Sequence, residues 1–175
     1  FGKMRLEVTY RLQGNRLSIE SRIDNHDAKD VITSLAFHPW FATPLQGQWQ
    51  LKVPAHEYWP AVDQLPVSSP KPVSGTAYDL TGSTELLRRT YDDVLTGLDF
   101  VEGRAVSELF DPQANRLIRV SQDAGYPHAV VYVPAGKDVV CVEPQSSSTD
   151  AFNLRNQDCT EATPIVLKPG QQYRG

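Results

Sequence analysis

The sequence predicts an all-β protein, folded as an antiparallel β-sandwich or barrel in a single domain over residues 1–175. Short apolar segments recur along the chain, and turns rich in proline and glycine separate them. No amphipathic pattern persists beyond about two helical turns. Many short strands without long helices are typical of two-layer β architectures.

The first strands are predicted from strict alternation of apolar and polar residues. Residues 4–10 alternate, which predicts a half-buried strand. Its apolar face consists of Met4, Leu6, Val8 and Tyr10. A turn at Gly14-Asn15 leads to a second alternating segment, residues 17–23, so the pair predicts a β-hairpin. Residues 31–37 and 49–53 are predicted as further strands.

The middle of the chain is predicted as an ordered excursion followed by more strands. Residues 54–84 contain five prolines together with apolar anchors. These anchors are Tyr58, Trp59, Val62, Leu65, Val67 and Tyr78. Residues 84–89 have the composition of one helical turn, and strands are predicted again near 98–100, 105–110 and 116–121.

A stretch at residues 130–144 carries the first candidate functional group. Two apolar segments flank a turn at residues 134–138, and the second segment, residues 139–142, reads Val-Val-Cys-Val. A continuous β-branched run predicts a strand buried on both faces. Glu143 follows it, and Pro144 then predicts the end of regular pairing. Partial burial would raise the pKa of Glu143 and make it a proton acceptor near neutral pH. A loop cap or an ion pair with arginine is the alternative role.

The C-terminal segments complete the sandwich. Residues 145–163 are predicted as a polar loop that includes Ser146-Ser147-Ser148, and residues 165–167 as a closing strand. The chain opens almost directly in a strand pattern and stops where another strand begins, at residues 173–175. We therefore expect a fragment of a longer protein, or a chain cut inside its fold.

Composition excludes several classes of function. A net charge of −4 with interspersed charges disfavours a nucleic-acid binder. No apolar run reaches membrane-spanning length, so no membrane partner is expected. Cys141 and Cys159 make no disulfide framework, and Cys141 is predicted as a small core residue. A cytoplasmic location is the expectation.

Sequence motifs give no metal or cofactor signal. His56-Glu57 begins like a zinc-protease helix, but Pro60 stands where the second histidine is needed. The four histidines show no ligand spacing, so we expect no metal site and no organic cofactor.

Two further titratable groups are candidates. His38 follows an apolar segment and precedes Pro39, an arrangement that mirrors Glu143-Pro144. Histidine exchanges protons near neutral pH, although a core histidine bonded to backbone is the alternative. Asp92-Asp93 places two carboxylates on opposite faces if the segment is a strand, or in a solvated turn if it is not. Trp40 could pack in the core or offer a flat surface to a sugar ring.

Three motifs occur in a recognisable order. They are Phe37-His38-Pro39-Trp40-Phe41, Tyr91-Asp92-Asp93-Val94 and Val140-Cys141-Val142-Glu143-Pro144. The sequence resembles the aldose 1-epimerase (galactose mutarotase) family, and the resemblance extends to the closing Leu167-Lys168-Pro169-Gly170 turn. It implies a β-supersandwich, incomplete at its N-terminus, because family members are longer and their N-terminal half brings an arginine and another histidine to the sugar site. Phe37, Trp40 and Asp93 depart from the usual family residues and indicate a divergent branch.

The resemblance implies an isomerase of carbohydrate metabolism that interconverts the α and β anomers of a hexose. Glu143 would be the general base, His38 the general acid, and Asp92 and Trp40 would bind the sugar, with no cofactor. The expected partner is a small sugar, with a homodimer or an absent N-terminal segment as further possibilities.

Three alternatives stay open at this point. A hexose-6-phosphate 1-epimerase would use Arg88 and Arg89 for the phosphate. A non-catalytic carbohydrate-binding sandwich would keep the aromatic surfaces but would not need both His38 and Glu143. A glycosidase would pair Glu143 with Asp92 and would need no histidine.

Overall fold

The structure is a computed structural model that describes residues 2–44, 48–86 and 89–175. Within these ranges the strands, numbered in chain order, are β1 (Met4–Gln13), β2 (Arg16–Asn25), β3 (Val31–Thr33), β4 (Trp40–Ala42), β5 (Gln50–Lys52), β6 (Ala55–Tyr58), β7 (Ala61–Val62), β8 (Leu65–Pro66), β9 (Lys71–Pro72), β10 (Thr84–Glu85), β11 (Tyr91–Leu98), β12 (Arg104–Asp111), β13 (Arg116–Asp123), β14 (His128–Val133), β15 (Val139–Gln145), β16 (Ile165–Leu167) and β17 (Gln172–Arg174). One helix, α1 (Ala151–Asn156), and a 3₁₀ turn at Thr160–Ala162 accompany them. In the described part of the chain, no helix has the length and apolarity to cross a membrane.

Two sheets form the sandwich. A six-stranded sheet has the order β4-β15-β14-β11-β6-β9, and a four-stranded sheet has the order β10-β5-β12-β13. Every pairing in them is antiparallel. One core cluster joins Leu51 and Leu109 of the smaller sheet to Val131 and Val140 of the larger one. The predicted all-β, antiparallel sandwich is therefore confirmed.

A three-stranded sheet, β1-β2-β17, lies beside the sandwich. Its hairpin was predicted correctly, and the register pairs Met4 with Asn25 through to Gln13 with Arg16. The prediction of a half-buried first strand is wrong, because both faces of β1 are exposed over almost their whole length. Alternation records which residues share a face, and burial requires a second layer against that face.

The strand that delivers Glu143 is buried as predicted. Val140 and Cys141 have no exposed surface, and Val142 has almost none. The prediction that pairing ends at Pro144 is wrong, since β14 pairs with β15 as far as Gln145. The Pro144 carbonyl accepts a hydrogen bond from the Phe37 N–H. In an antiparallel ladder the N–H and C=O of one residue point to the same side, so the N–H that proline lacks faces Phe37 rather than β14.

Several element bounds differ from the predictions. A strand was predicted over residues 31–37, but β3 ends at Thr33. The strand predicted near residues 98–100 is absent from the described chain, and Leu98 is instead the last residue of β11. The helical turn predicted at 84–89 begins as strand β10, and Leu87 and Arg88 lie outside the described residues. The polar loop after Gln145 contains α1.

The excursion over residues 54–84 is ordered, but its anchors differ from those predicted. Trp59 is fully buried, and Tyr58 stacks on Tyr78 with ring centroids 4.1 Å apart. Three predicted anchors are instead exposed, namely Val62, Leu65 and Val67. These three lie in or next to the small β7-β8 hairpin.

Candidate active site

The six-stranded sheet has a core face and an open face. Residues directly opposite each other in an antiparallel sheet share a face. One cross-strand row on the open face runs from Trp40 through Cys141 and Tyr132 to Asp92. The next row contains Glu143, Val130 and Val94. Groups that are far apart in sequence are therefore neighbours on one surface.

A cavity of about 420 Å³ lies on this open face. It is lined by His38, Trp40, Ala61, Gln64, Asp92, Val94, Val130, Tyr132, Glu143, Gln145 and Thr149. All four residues that the sequence singled out, His38, Trp40, Asp92 and Glu143, lie in this one cavity. The structure thus brings together the whole predicted set.

Glu143 and His38 form the polar centre of the cavity. The Glu143 side chain is buried, whereas the His38 side chain is 50% exposed. Their Nε2 and Oε1 atoms are 3.2 Å apart. Burial raises the pKa of Glu143, and His38 and a Gln145 hydrogen bond to the carboxylate oppose that shift only in part. Desolvation disfavours the charged carboxylate, which is the effect expected from its place on a buried strand.

Two aromatic rings, those of Trp40 and Tyr132, fix the position of His38. Its imidazole stacks on Trp40 with centroids 5.2 Å apart and an interplanar angle of 3°. Tyr132 meets both rings edge-on, at 6.2 Å from His38 and 5.8 Å from Trp40. Edge-to-face and offset contacts of this kind are favourable for aromatic pairs. The imidazole is therefore oriented toward Glu143, while Trp40 keeps an exposed face.

Asp92 lies across the cavity floor from Trp40, in the same cross-strand row. Its Oδ2 accepts a hydrogen bond of 2.6 Å from Gln64 Nε2. Gln64 reaches it from the turn between β7 and β8, where Asp63 and Gln64 both have positive φ. Asp93 is excluded from the cavity lining and, by strand alternation, lies on the core face. Its pKa is raised, first by burial.

Cys141 lies beneath the aromatic cluster, in the row between Trp40 and Tyr132. Its thiol is fully buried, as predicted for a core residue. Burial, with a further contribution from the Glu143 charge, raises the pKa of this thiol to about 11. The side chain is therefore a neutral thiol at physiological pH.

Sequence reasoning missed Tyr132, Gln64 and Gln145. Tyr132 and Gln145 could have been found from strand register, because they lie on the same face as Glu143. Gln64 gave only a weak signal, an Asp-Gln turn between two short apolar pairs. Of the arginines proposed for a phosphate, Arg88 lies outside the described residues, and Arg89 donates to the Tyr91 phenol oxygen and is absent from the lining.

Fold and site together define the class of the protein. It is an antiparallel β-sandwich with a histidine–glutamate pair, an aromatic surface and a further carboxylate in one open cavity. The aldose 1-epimerase family model matches residues 1–175, and the chain belongs to that family.

Curated relatives agree with this assignment. Galactose mutarotase of Homo sapiens is 32% identical over 197 aligned residues, which cover 98% of this chain and 56% of the relative. Galactose mutarotase of Pongo abelii matches to the same extent. The chain thus spans a little over half the length of the curated relatives it matches.

Solved structures share the fold. A galactose mutarotase-like protein of Clostridium acetobutylicum superposes with a TM-score of 0.86 at 18% identity, over 99% of this chain and 54% of that chain. A protein of Synechocystis sp. PCC 6803 gives a TM-score of 0.76 at 28% identity, over 99% and 53%. The strand arrangement described above is therefore that of known galactose mutarotase-like sandwiches.

Proposed function

We propose that the protein is an isomerase that interconverts the α and β anomers of a hexose. The observation that carries this proposal is the 3.2 Å approach of His38 Nε2 to Glu143 Oε1 inside the cavity. An imidazolium and a carboxylate at this separation can hold one proton donor and one proton acceptor against a single reacting centre. Membership of the aldose 1-epimerase family supports the same chemistry.

The reaction needs two proton transfers at a hemiacetal carbon. Glu143 accepts the proton of the O1 hydroxyl, and protonated His38 donates to the ring oxygen as the bond from C1 to that oxygen breaks. The products of this step are the open-chain aldehyde, neutral His38 and protonated Glu143. Rotation about the C1–C2 bond precedes closure on the other face, in which both protons return. Because O1 and the ring oxygen are bonded to the same carbon, two adjacent groups can serve both.

Asp92 and Trp40 are proposed to hold the sugar. The Asp92 carboxylate accepts hydrogen bonds from sugar hydroxyls, and Gln64 keeps it facing the cavity. Trp40 is 57% exposed, so its ring can cover an apolar face of the sugar. No described arginine lines the cavity, which gives a phosphorylated hexose no specific support.

The remaining expectations are also proposals. Cys141 and Cys159 are free thiols, and this supports a cytoplasmic location, where thiols stay reduced. We treat residues 1–175 as part of one sandwich domain, since the family model matches across them.

Anomeric exchange measured by NMR tests the function. The protein should accelerate mutarotation of α-galactose or α-glucose, and Glu143→Gln should lower kcat by about 10²–10⁴-fold, the usual contribution of general base catalysis. Acceleration that survives in Glu143→Gln, or fails to occur with any hexose, contradicts the proposal. A hexose 6-phosphate is included to test the phosphorylated alternative.

The adjacent aspartates provide a matched control for substrate binding. Asp92→Asn removes a charged acceptor from the cavity and should raise KM by about 10-fold or more, the value of a hydrogen bond to a charged group. Asp93→Asn changes the same chemistry on the other face of the strand and should leave KM within about twofold. Equal effects of the two variants would argue against sugar binding by Asp92.

A further inference from the structure

Three potential metal ligands lie close together, two of them in the cavity lining and the third, Cys141, buried beside them. They are one ring nitrogen of His38, Cys141 Sγ and a carboxylate oxygen of Glu143, and the three atoms all lie within 4.8 Å of one another. Cys141 and Glu143 are two residues apart on β15 and therefore project from the same face. His38 approaches from the segment just before β4. We propose that this cluster is a binding site for a thiophilic divalent cation, Zn²⁺, and that its occupation inhibits the enzyme.

The geometry fits zinc after small movements. Tetrahedral zinc with bonds of about 2.0–2.3 Å places its ligands about 3.3–3.8 Å apart. The His38–Glu143 pair is already near this separation, at 3.2 Å. The remaining separations are no longer than 4.8 Å, so closure needs shifts of about an ångström. Three protein ligands leave the fourth position of the ion to water or substrate on the cavity side.

The donor set selects the type of ion. Nitrogen, sulfur and oxygen donors together suit Zn²⁺, whereas Mg²⁺ and Ca²⁺ require oxygen ligands. On binding, zinc forms a bond to the Cys141 sulfur, and the thiol proton leaves to solvent. No oxidant or reductant is involved in this step.

The surroundings already orient the ligands. Stacking on Trp40 fixes the His38 ring, and Gln145 donates to the Glu143 oxygen that does not face His38. Partners of this kind set the direction of metal ligands in zinc sites. The ligands are 103 and 105 residues apart in the chain (38 to 141 and 38 to 143), which explains why sequence spacing gave no signal.

Metal binding would occupy both groups proposed for proton transfer. When Glu143 Oε1 and His38 Nε2 are bonded to the ion, neither residue can exchange a proton with the sugar. The inhibitory consequence rests on the proposed function, whereas metal binding itself does not. The two can therefore fail separately.

Cobalt substitution and zinc competition test the site without using activity. The metal-free protein is titrated with Co²⁺, and thiolate coordination gives a charge-transfer band in the near ultraviolet. Zinc affinity is measured by competition with a chelating dye. Cys141→Ser should abolish the band and weaken zinc binding by at least about 100-fold, since even indirect partners of metal ligands are worth about 10–100-fold.

Two further variants keep the test decisive. Cys159→Ser is the matched control, because Cys159 also has a carboxylate neighbour, with Glu161 Oε2 at 3.5 Å, but is not part of the cavity lining or of the three-ligand cluster. It should retain the band, the zinc affinity and the inhibition. His38→Gln removes a half-exposed ligand with little effect on the core and should also weaken zinc binding, which covers the case in which Cys141→Ser does not fold.

Each result has a defined meaning. Loss of the band in Cys141→Ser, or weaker zinc binding in His38→Gln, supports the site if Cys159→Ser retains both the band and the zinc affinity. The absence of a band in the wild type, its loss in Cys159→Ser, or unchanged zinc affinity in both cavity variants overturns it. Zinc binding without mutarotation by the metal-free protein would contradict only the proposed function.

Discussion

The six-stranded sheet and the β1-β2-β17 sheet both consist of strands with apolar residues along their length but have opposite environments. In the first, β11, β14 and β15 are largely buried, with the core on one face and the cavity on the other. In the second, Leu6, Tyr10 and Leu12 of β1 are more than half exposed. The difference shows that apolar periodicity specifies a strand and its faces, whereas burial depends on what packs against those faces.

The difference in burial between the two sheets also has a functional consequence. A buried sheet can desolvate a carboxylate and fix aromatic rings, and both effects operate on Glu143 and His38. An exposed sheet leaves its charged groups in water, as the Arg5–Glu7 pair of β1 illustrates. A surface ion pair of this kind contributes little to stability.

The largest expected effect separates the two sheets by stability. Leu95 in β11 is 1% exposed, and Leu12 in β1 is 75% exposed. Leu95→Ala should lower the free energy of unfolding by about 2–5 kcal/mol, because it leaves a cavity in a packed core. Leu12→Ala should lower it by less than about 0.5 kcal/mol. Urea denaturation of both variants provides the measurement, and equal losses would break the comparison.

A pH effect between about pH 6.5 and 4 is expected from a buried histidine of the six-stranded sheet. His128 is buried in β14, with its Nε2 within 2.8 Å of Thr163 Oγ1 and its Nδ1 without a partner among the described residues. Burial lowers the pKa of His128 to about 4. Between about pH 4 and 6.5, His128 therefore binds a proton in the unfolded chain but not in the folded chain. The stabilising contribution is complete above about pH 6.5 and is lost as the pH falls toward about 4, a loss of about 3 kcal/mol.

His128→Gln tests this dependence. Glutamine does not titrate, so the variant should lose less stability than the wild type between pH 6.5 and 4. His26→Gln, at an exposed position next to β2, should retain the wild-type slope. The measurement is the urea midpoint of each variant across this pH range. Identical pH dependence of the midpoint in the wild type and His128→Gln would exclude His128 as the source of the stability loss.

The smallest expected effect concerns the open sheet. Leu12→Lys places a charge on an edge strand, since β1 lies at the end of its sheet. The free energy of unfolding should change by less than about 0.5 kcal/mol, and self-association should fall, because charged edges resist strand pairing between molecules. Analytical ultracentrifugation measures association. A loss of stability comparable to that of Leu95→Ala would show that this face is covered in solution.

Much of the fold could be predicted from the sequence because strand signals are local. Alternation predicted the first hairpin, and the continuous Val-Val-Cys-Val segment predicted a buried strand. Elements whose form depends on partners were missed. The segment 84–85 pairs with β5 instead of forming a helical turn, and Pro144 stays in the ladder because its missing N–H faces away from β14.

The candidate site likewise has residues that the sequence could predict and contacts that it could not. Three chemistry-bearing residues could be selected from the sequence together with Trp40, namely Asp92 and Glu143 on strands and His38 just before β4. The sequence could not indicate Gln64 as the partner of Asp92, or Cys141 as a neighbour of His38. Those contacts depend on register and on a hairpin turn that reaches across the sheet.

The sequence by itself determined the all-β class, the strand that carries Glu143 and the family to which the chain belongs. Only the tertiary structure decided which face of each strand is buried, that side chains from three distant segments share one cavity, and that a buried thiol lies beside the His38–Glu143 pair. The physical reason is that hydrophobic periodicity and turn residues act over a few neighbours. Pairing register, desolvation and cavity shape are set by strands that lie far apart in the chain.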